Sequence, residues 1–435
     1  MSLLRIATTA SVLLFVSSTL LARDFYLTVQ GAGSRDGSGW EDAMGKDRLQ
    51  TVFNETMQPG DRLLLGSGTY GAVALVLSRG GEAGRIKEIV GEDRGTGLPL
   101  FTSTWVAEQP TKGATAFRIE PGVSHVTIRG IRIRNYAYGV HAPVTPNGAA
   151  RTHLRFEELW MEQIRHGFFL ADCDDVQFRA CVLKYYTKHG FRFEQGCSRV
   201  RLAQCVADCS VRNQVWETKT ELFPFGYLLN DGGRPNTSFV FEECVARNHM
   251  MPMQTTKYKN GDGFVVEGNS SNVVFVRCRA LRNQDAGFDL KVHDVRLIDC
   301  VAVGNSRGFR IWATGTLENC FSGWSAVALW NNGGPVRASR CTFHELSDAA
   351  VLTDDDATLG VTLADCLISA APTAQRNTGR GRVTLQGTVV AASPGSNEIY
   401  SRLEREWDGL GNAMDCETFP DKGYRSSLHS KAQLK

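Results

Sequence analysis

Three acidic side chains and one arginine recur at spacings that could assemble a charged site. Asp262 lies in N-G-D-G-F, Asp285 and Asp289 lie in Q-D-A-G-F-D, and Arg310 lies in R-G-F-R. Carboxylates brought together repel one another unless they share a proton or bind a cation, and hard oxygen ligands on rigid turns suit Ca2+. An arginine beside them is a permanent positive charge that can clamp an anionic group. Lys291, two residues beyond Asp289, is a second basic candidate. Such a set could serve removal of a proton from a carbon next to a carboxylate, with Arg310 or Lys291 as base or clamp and a neighbouring positive charge to acidify that proton.

These residues need elements that hold them on one surface. The G-F element that carries them recurs as HGFFL from His166, HGFRF from His189, FGYLL from Phe225, DGFVV from Asp262, AGFDL from Ala286 and RGFRI from Arg307, with an earlier copy, YGVHA, from Tyr138. Between copies come a short turn, a second apolar run ending at a cysteine, and a third short run. Three brief strands per period of about 22 residues, with no helical periodicity, predict an all-β, single-domain, right-handed parallel β-helix. Strand alternation turns Phe288 and Leu290 inward and Asp289 and Lys291 outward, and it puts Arg192 with Glu194, Val265 with Glu267, and Arg310 with Trp312 on the same outer face. Rungs stack about 4.8 Å apart, so the three aspartates fall in one patch with Arg310 one rung beyond Asp289. Lys188, His189 and Arg192, together with His166, add a basic strip on that side, which suits an extended polyanion. Trp312 and Trp216 are candidates for stacking on sugar rings, whereas Tyr227 aligns with inward phenylalanines and is expected in the core. The run Asp354 to Asp356 reads as a solvated turn.

The whole chain has 435 residues and a net charge of +2, so nothing global argues for nucleic acid or an anionic membrane surface. Arg5, the apolar run from Ile6 to Leu21 and Ala22 read as a secretory signal peptide over 1–22, cleaved after Ala22. A secreted or periplasmic monomer, with no membrane span in the mature chain, is expected. Residues 23–75 would form an N-terminal cap and first rung, 76–392 the β-helix, and 393–435 a closing tail with one helix over 398–408. Of the 12 cysteines, Cys181, Cys205, Cys244, Cys278, Cys300, Cys320, Cys341 and Cys366 each end a β-like run and are expected to point inward as small apolar residues. Cys173 and Cys197 fall at another equivalent point, one rung apart, as either a disulfide or two stacked thiols. Asn283 and Asn305, with Asn248 one residue out of phase, predict a buried ladder of turn asparagines.

The segment from Asp24, with P-G-D and then G-T-Y, resembles the capping and first-rung region of secreted pectate-lyase-like β-helix proteins. The stretch NGDGF, NQDAGFDL and SRGFR resembles the central motif of polysaccharide lyase family nine, over roughly Lys259 to Ile311. That resemblance implies Ca2+-assisted β-elimination on an acidic, pectate-like polysaccharide, with Asp262, Asp285 and Asp289 as metal ligands. Two positions depart from the pattern: Ala286 stands where the family has a second adjacent aspartate, and Arg310 where it has a lysine. A uronan C5-epimerase, which shares the proton-abstraction step, and a catalytically silent polysaccharide-binding or envelope protein are the competing readings. The ordered elements of a β-helix polygalacturonase are absent.

Overall fold

The computed structural model describes residues 22–145, 148–209, 223–230, 232–251, 260–354, 360–377 and 380–391. The signal segment, the tail with its expected helix, Asp355, Asp356 and most of the loop over 211–225, Trp216 included, lie outside the described residues. The chain coils into rungs of three short strands, as in Val295–Ile298, Val301–Val303 and Arg307–Ile311. Each strand pairs in parallel with its counterpart one rung on: Val295–Ile298 with Gly315–Glu318, Val301–Val303 with Phe321–Gly323, Arg307–Ile311 with Val327–Asn331. The first strands build one 15-stranded sheet, and the second and third strands build the remaining walls. This is a parallel β-helix. At its start a helical stretch over 46–56 buries Leu49, Val52 and Phe53 against the first rungs, closing an otherwise open apolar end. No helix among the described residues is long and apolar enough to cross a membrane.

The G-F repeat has a steric origin. A Cβ on Gly263 would sit 2.6 Å from the carbonyl oxygen of Gly287, and one on Gly287 would sit 2.7 Å from that of Gly308. Neighbouring backbones approach too closely there for any side chain. The residue that follows points inward, and Phe168, Phe191, Tyr227, Phe264, Phe288 and Phe309 stack face over face with centroids 4.7–5.2 Å apart. Tyr227 is a core residue, its hydroxyl donating to the Cys205 carbonyl at 2.8 Å.

Every described cysteine is a buried free thiol. Each member of the expected column follows a residue with positive φ, such as Arg277 (53°), Asp299 (54°) and Asn319 (52°), which turns the chain sharply at the corner. The thiols then donate to carbonyls of the preceding rung, Cys278 to Phe241 at 3.4 Å and Cys300 to Phe275 at 3.5 Å. One rung past Cys366 the same bond is made by a hydroxyl, Thr388 to Leu363 at 2.9 Å. Small size and a donor explain the column without redox chemistry. Cys173 and Cys197 occupy equivalent places on adjacent rungs and are unbridged.

The asparagine ladder is present with one exchange. The Asn283 amide donates to Asn305 Oδ1 at 2.9 Å, and Asn305 donates to the Ala280 carbonyl at 3.0 Å. The next position is filled by His249, whose Nδ1 lies 2.6 Å from Asn283 Oδ1 and whose Nε2 meets the Tyr186 hydroxyl. Asn248 turns aside instead, with φ of 63°, and donates to Asp208 at 2.8 Å.

Candidate active site

The third strands carry the candidate residues in lateral columns. Asp289 is the register partner of Arg310, and Arg310 of Trp330. Ala286 pairs with Arg307, while the Phe264–Phe288 pairing sets Asp262 level with Ala286. Backbone bonds from Lys291 to Val266 and from Trp312 to Leu290 continue a further column from Glu267. Asp262, Asp285, Asp289, Lys291, Arg310 and Trp312 therefore come together on one outer face. All three aspartates are buried.

Their charges are already paired. Asp285 forms an ion pair with Arg307, and Arg310 Nη1 lies 3.7 Å from its other oxygen. Asp289 accepts from the Trp312 indole N–H at 2.5 Å and faces Lys291 Nζ at 3.5 Å and Arg310 Nε at 3.8 Å. Lys291 also bonds both oxygens of Glu267, at 2.6 and 2.7 Å. Burial pulls the lysine's pKa down, but the charges of Asp289 and Glu267 outweigh it and hold Lys291 above its ordinary value. Asp262 accepts one bond, from the Ala286 N–H at 2.6 Å, and its second oxygen is buried with no hydrogen-bond partner. Burial, and then the Asp289 charge, push its carboxyl up to about 8.

Aromatic rings fix the arginines. The Arg310 guanidinium carbon stands 4.1 Å from the Trp312 ring centre and 4.2 Å from that of Trp330, so the group packs against two indoles. Arg307 packs on Trp330 at 4.3 Å, and Lys291 on Trp312 at 5.5 Å. The Trp330 N–H is anchored on Asp354 at 2.9 Å, so Asp354 supports this cluster. Sequence reasoning missed Trp330, Arg307 and the part played by Asp354. The available signal was register, since Trp330 follows Arg310 by one repeat.

The strip toward the N-terminus shares the same face, because His166 pairs with His189, His189 with Phe225 and Phe225 with Asp262. Burial drives His166 and His189 well below the ordinary imidazole value, so neither adds charge. Arg192 bonds Glu194 at 2.8 Å and covers Phe169, while Lys188 lies 5.8 Å from the Phe223 ring centre. Outside the core, Phe225, Leu228 and Val265 make a small buried apolar cluster with Phe223 between this strip and the aspartates.

The donor set does not fit a calcium cage. Ca2+ takes six to eight oxygen ligands. Asp285 and Asp289 spend their oxygens on Arg307, Arg310, Lys291 and Trp312, and a single buried Asp262 oxygen is left over. Among the described residues no group of three or more His, Cys, Asp or Glu side chains is arranged to hold a metal ion.

No family model and no curated protein sequence matches the chain. Its structure is similar to that of the pectate lyase Pel9A, with a TM-score of 0.51 at 14% identity, covering 93% of this chain and 90% of that one. The catalytic domain of a GH87 alpha-1,3-glucanase in complex with nigerose gives 0.49 at 11% identity over 86% of this chain and 69% of that one. The A-module of the Azotobacter vinelandii mannuronan C-5 epimerase AlgE6 gives 0.48 at 14% identity over 80% and 95%. The likeness is one of fold: the chain is a parallel β-helix.

Proposed function

We propose that this protein acts outside the cytoplasm on an acidic, uronic-acid-containing polysaccharide, binding it across Trp312, Arg310 and Trp330 and cleaving it by β-elimination. The observation that carries this reading is the Arg310 guanidinium, packed against two indoles with carboxylates within 4 Å. Half-buried indoles offer faces to sugar rings, and a rigid guanidinium offers a fork that matches a carboxylate. Arginine stays protonated at accessible pH, so Arg310 clamps the sugar acid and takes no proton. Drawing charge from that carboxylate acidifies the C5 proton. Asp289, beside both cations, accepts this proton; the C4–O bond breaks, and protonated Lys291 supplies a proton to the leaving oxygen. A uronan C5-epimerase would share the first of these steps.

A binder without turnover is the second reading. The hold of Glu267 and Asp289 on Lys291 and of the indoles on Arg310 favours it. Purified protein incubated with polygalacturonate, alginate and glycosaminoglycans should generate the ultraviolet-absorbing 4,5-unsaturated product, and Asp289→Asn should abolish it. Reducing ends without that absorbance would replace the lyase by a hydrolase. Binding without either product would establish the silent protein.

A further inference from the structure

The surroundings of Arg310 supply a positive charge where the resemblance implies a metal. Its guanidinium carbon lies 4.1 Å from the Trp312 ring centre and 4.2 Å from that of Trp330. Its edge reaches Asp285 at 3.7 Å and Asp289 at 3.8 Å, the two carboxylates that would otherwise converge on a cation. Arg307 holds Asp285 from the other side, and Lys291 bridges Asp289 to Glu267. Position 286, level with Asp262, is an alanine that contributes no ligand. The positive charges of Arg310, Arg307 and Lys291 beside these acids offset the attraction that the acids would exert on an incoming divalent ion.

We propose that Arg310 stands in for a bound divalent cation, so that this site engages a sugar carboxylate without metal. The sugar half of this inference rests on the function proposed above; the metal half rests on the ion pairs alone. Arginine suits the substitution because its charge does not titrate away and its planar fork survives packing against two indoles. Removing Arg310 takes away the cation that faces both Asp285 and Asp289, and in that state the two acids should recruit the cation that they now reject.

The full chain is melted in CaCl2, in EDTA and in NaCl of matched ionic strength, as wild type and as Arg310→Met. Wild type should melt alike in all three, and titration with Tb3+ should give no saturable luminescence sensitised by Trp312. Arg310→Met should melt lower in EDTA and recover about 2–4 °C in CaCl2, the shift expected of a ligand well above its Kd. A Ca2+-dependent rise in wild type that disappears in Asp289→Asn would overturn the proposal, as would an Arg310→Met protein indifferent to Ca2+. If that variant does not fold, saturable Tb3+ binding by wild type decides against the proposal and its absence decides for it. In a parallel titration with oligogalacturonate, equal affinity in EDTA and CaCl2, weakened about tenfold by Trp330→Leu, supports the sugar half; affinity that requires Ca2+ refutes it. If no oligouronide binds in either buffer, the proposed function and the sugar half fall together, while the melting and Tb3+ arms still decide the metal half.

Discussion

Asp289 and Arg310 face each other directly across neighbouring rungs, yet their closest charged atoms stay 3.8 Å apart. Asp289 has a nearer partner in the Trp312 indole N–H, and the Arg310 guanidinium packs against two indoles. The two charges are thus held in reach of each other without collapsing into a closed salt bridge. On the function proposed above, the guanidinium fork is the group that takes up a carboxylate from outside.

Asp262→Asn should stabilise the fold at neutral and alkaline pH. The Asp262 carboxyl is raised in the folded state to about 8, so its contribution is fully present below the ordinary carboxylate value of 3.8 and is lost as pH rises toward 8. Asparagine keeps the acceptor for the Ala286 N–H and never charges. Its advantage should grow across that window to about 2 kcal/mol, allowing for the usual discount on buried groups. Thermal unfolding of both proteins from pH 4 to 9 measures it; curves separated by a constant amount would contradict it.

His249 should make the fold acid-sensitive. Burial lowers its imidazole to about 4, against the opposing pull of the Asn283 bond and the Asp208 charge. The unfolded chain takes up the proton first, so stability is full above pH 6.5 and falls as pH drops from there to 4. The loss from this residue should approach about 3 kcal/mol. His249→Gln should reduce the pH dependence over that range, as read from urea melts, while the remaining slope reports His141 and His344, both also lowered to about 4, together with the buried His166 and His189.

Gly287→Ala should cost about 1–3 kcal/mol, because its Cβ would strike the carbonyl oxygen of Gly308 and the backbone cannot retreat. Gly39, whose added Cβ would meet nothing within 4 Å, is the control. Gly39→Ala should leave the melting temperature unchanged. Equal effects at the two sites would refute the close-approach account of the repeat.

The described thiols should be silent to a thiol reagent in the native state and react on unfolding. Burial pushes Cys173, Cys205, Cys278 and Cys320 well above the ordinary thiol value, while at Cys244, Cys300 and Cys341 burial is outweighed by bonds from neighbouring thiols that lower it, so the expected silence of the column rests on its being sealed from solvent. Cys320→Ser should be tolerated better than Cys320→Ala, since Ser retains the donor to Leu297. Rapid reaction of several thiols in native buffer would show that the corner column opens to solvent.

Much of this fold was legible because each rung repeats one solution to the same packing problem. Gly287, Phe288 and Cys300 recur in kind since close backbone approach, ring stacking and a sharp corner recur. The aspartate patch was legible for the same reason: register turns repeat position into lateral contact. What failed to show was pairing between side chains in different rungs. Trp330 reads alone as an ordinary strand residue, and only beneath Arg310 does it become half of a clamp. His249 looked like a neighbour of the ladder residue Asn248, but the left-handed backbone at 248 passes the ladder place to the imidazole. The burial of Asp262 depends on everything packed around it, which no local pattern encodes.

The corner thiols lie in line, one per rung from Cys181 to Cys366, all in the dry interior. Once the rungs have closed, no oxidant has a path to them. While the chain is still open, each thiol is free to react with any other, and a mismatched bridge between distant rungs would stop the coil from winding. In any oxidising surroundings this protein therefore depends on a race: winding must bury each sulfur before chemistry finds it.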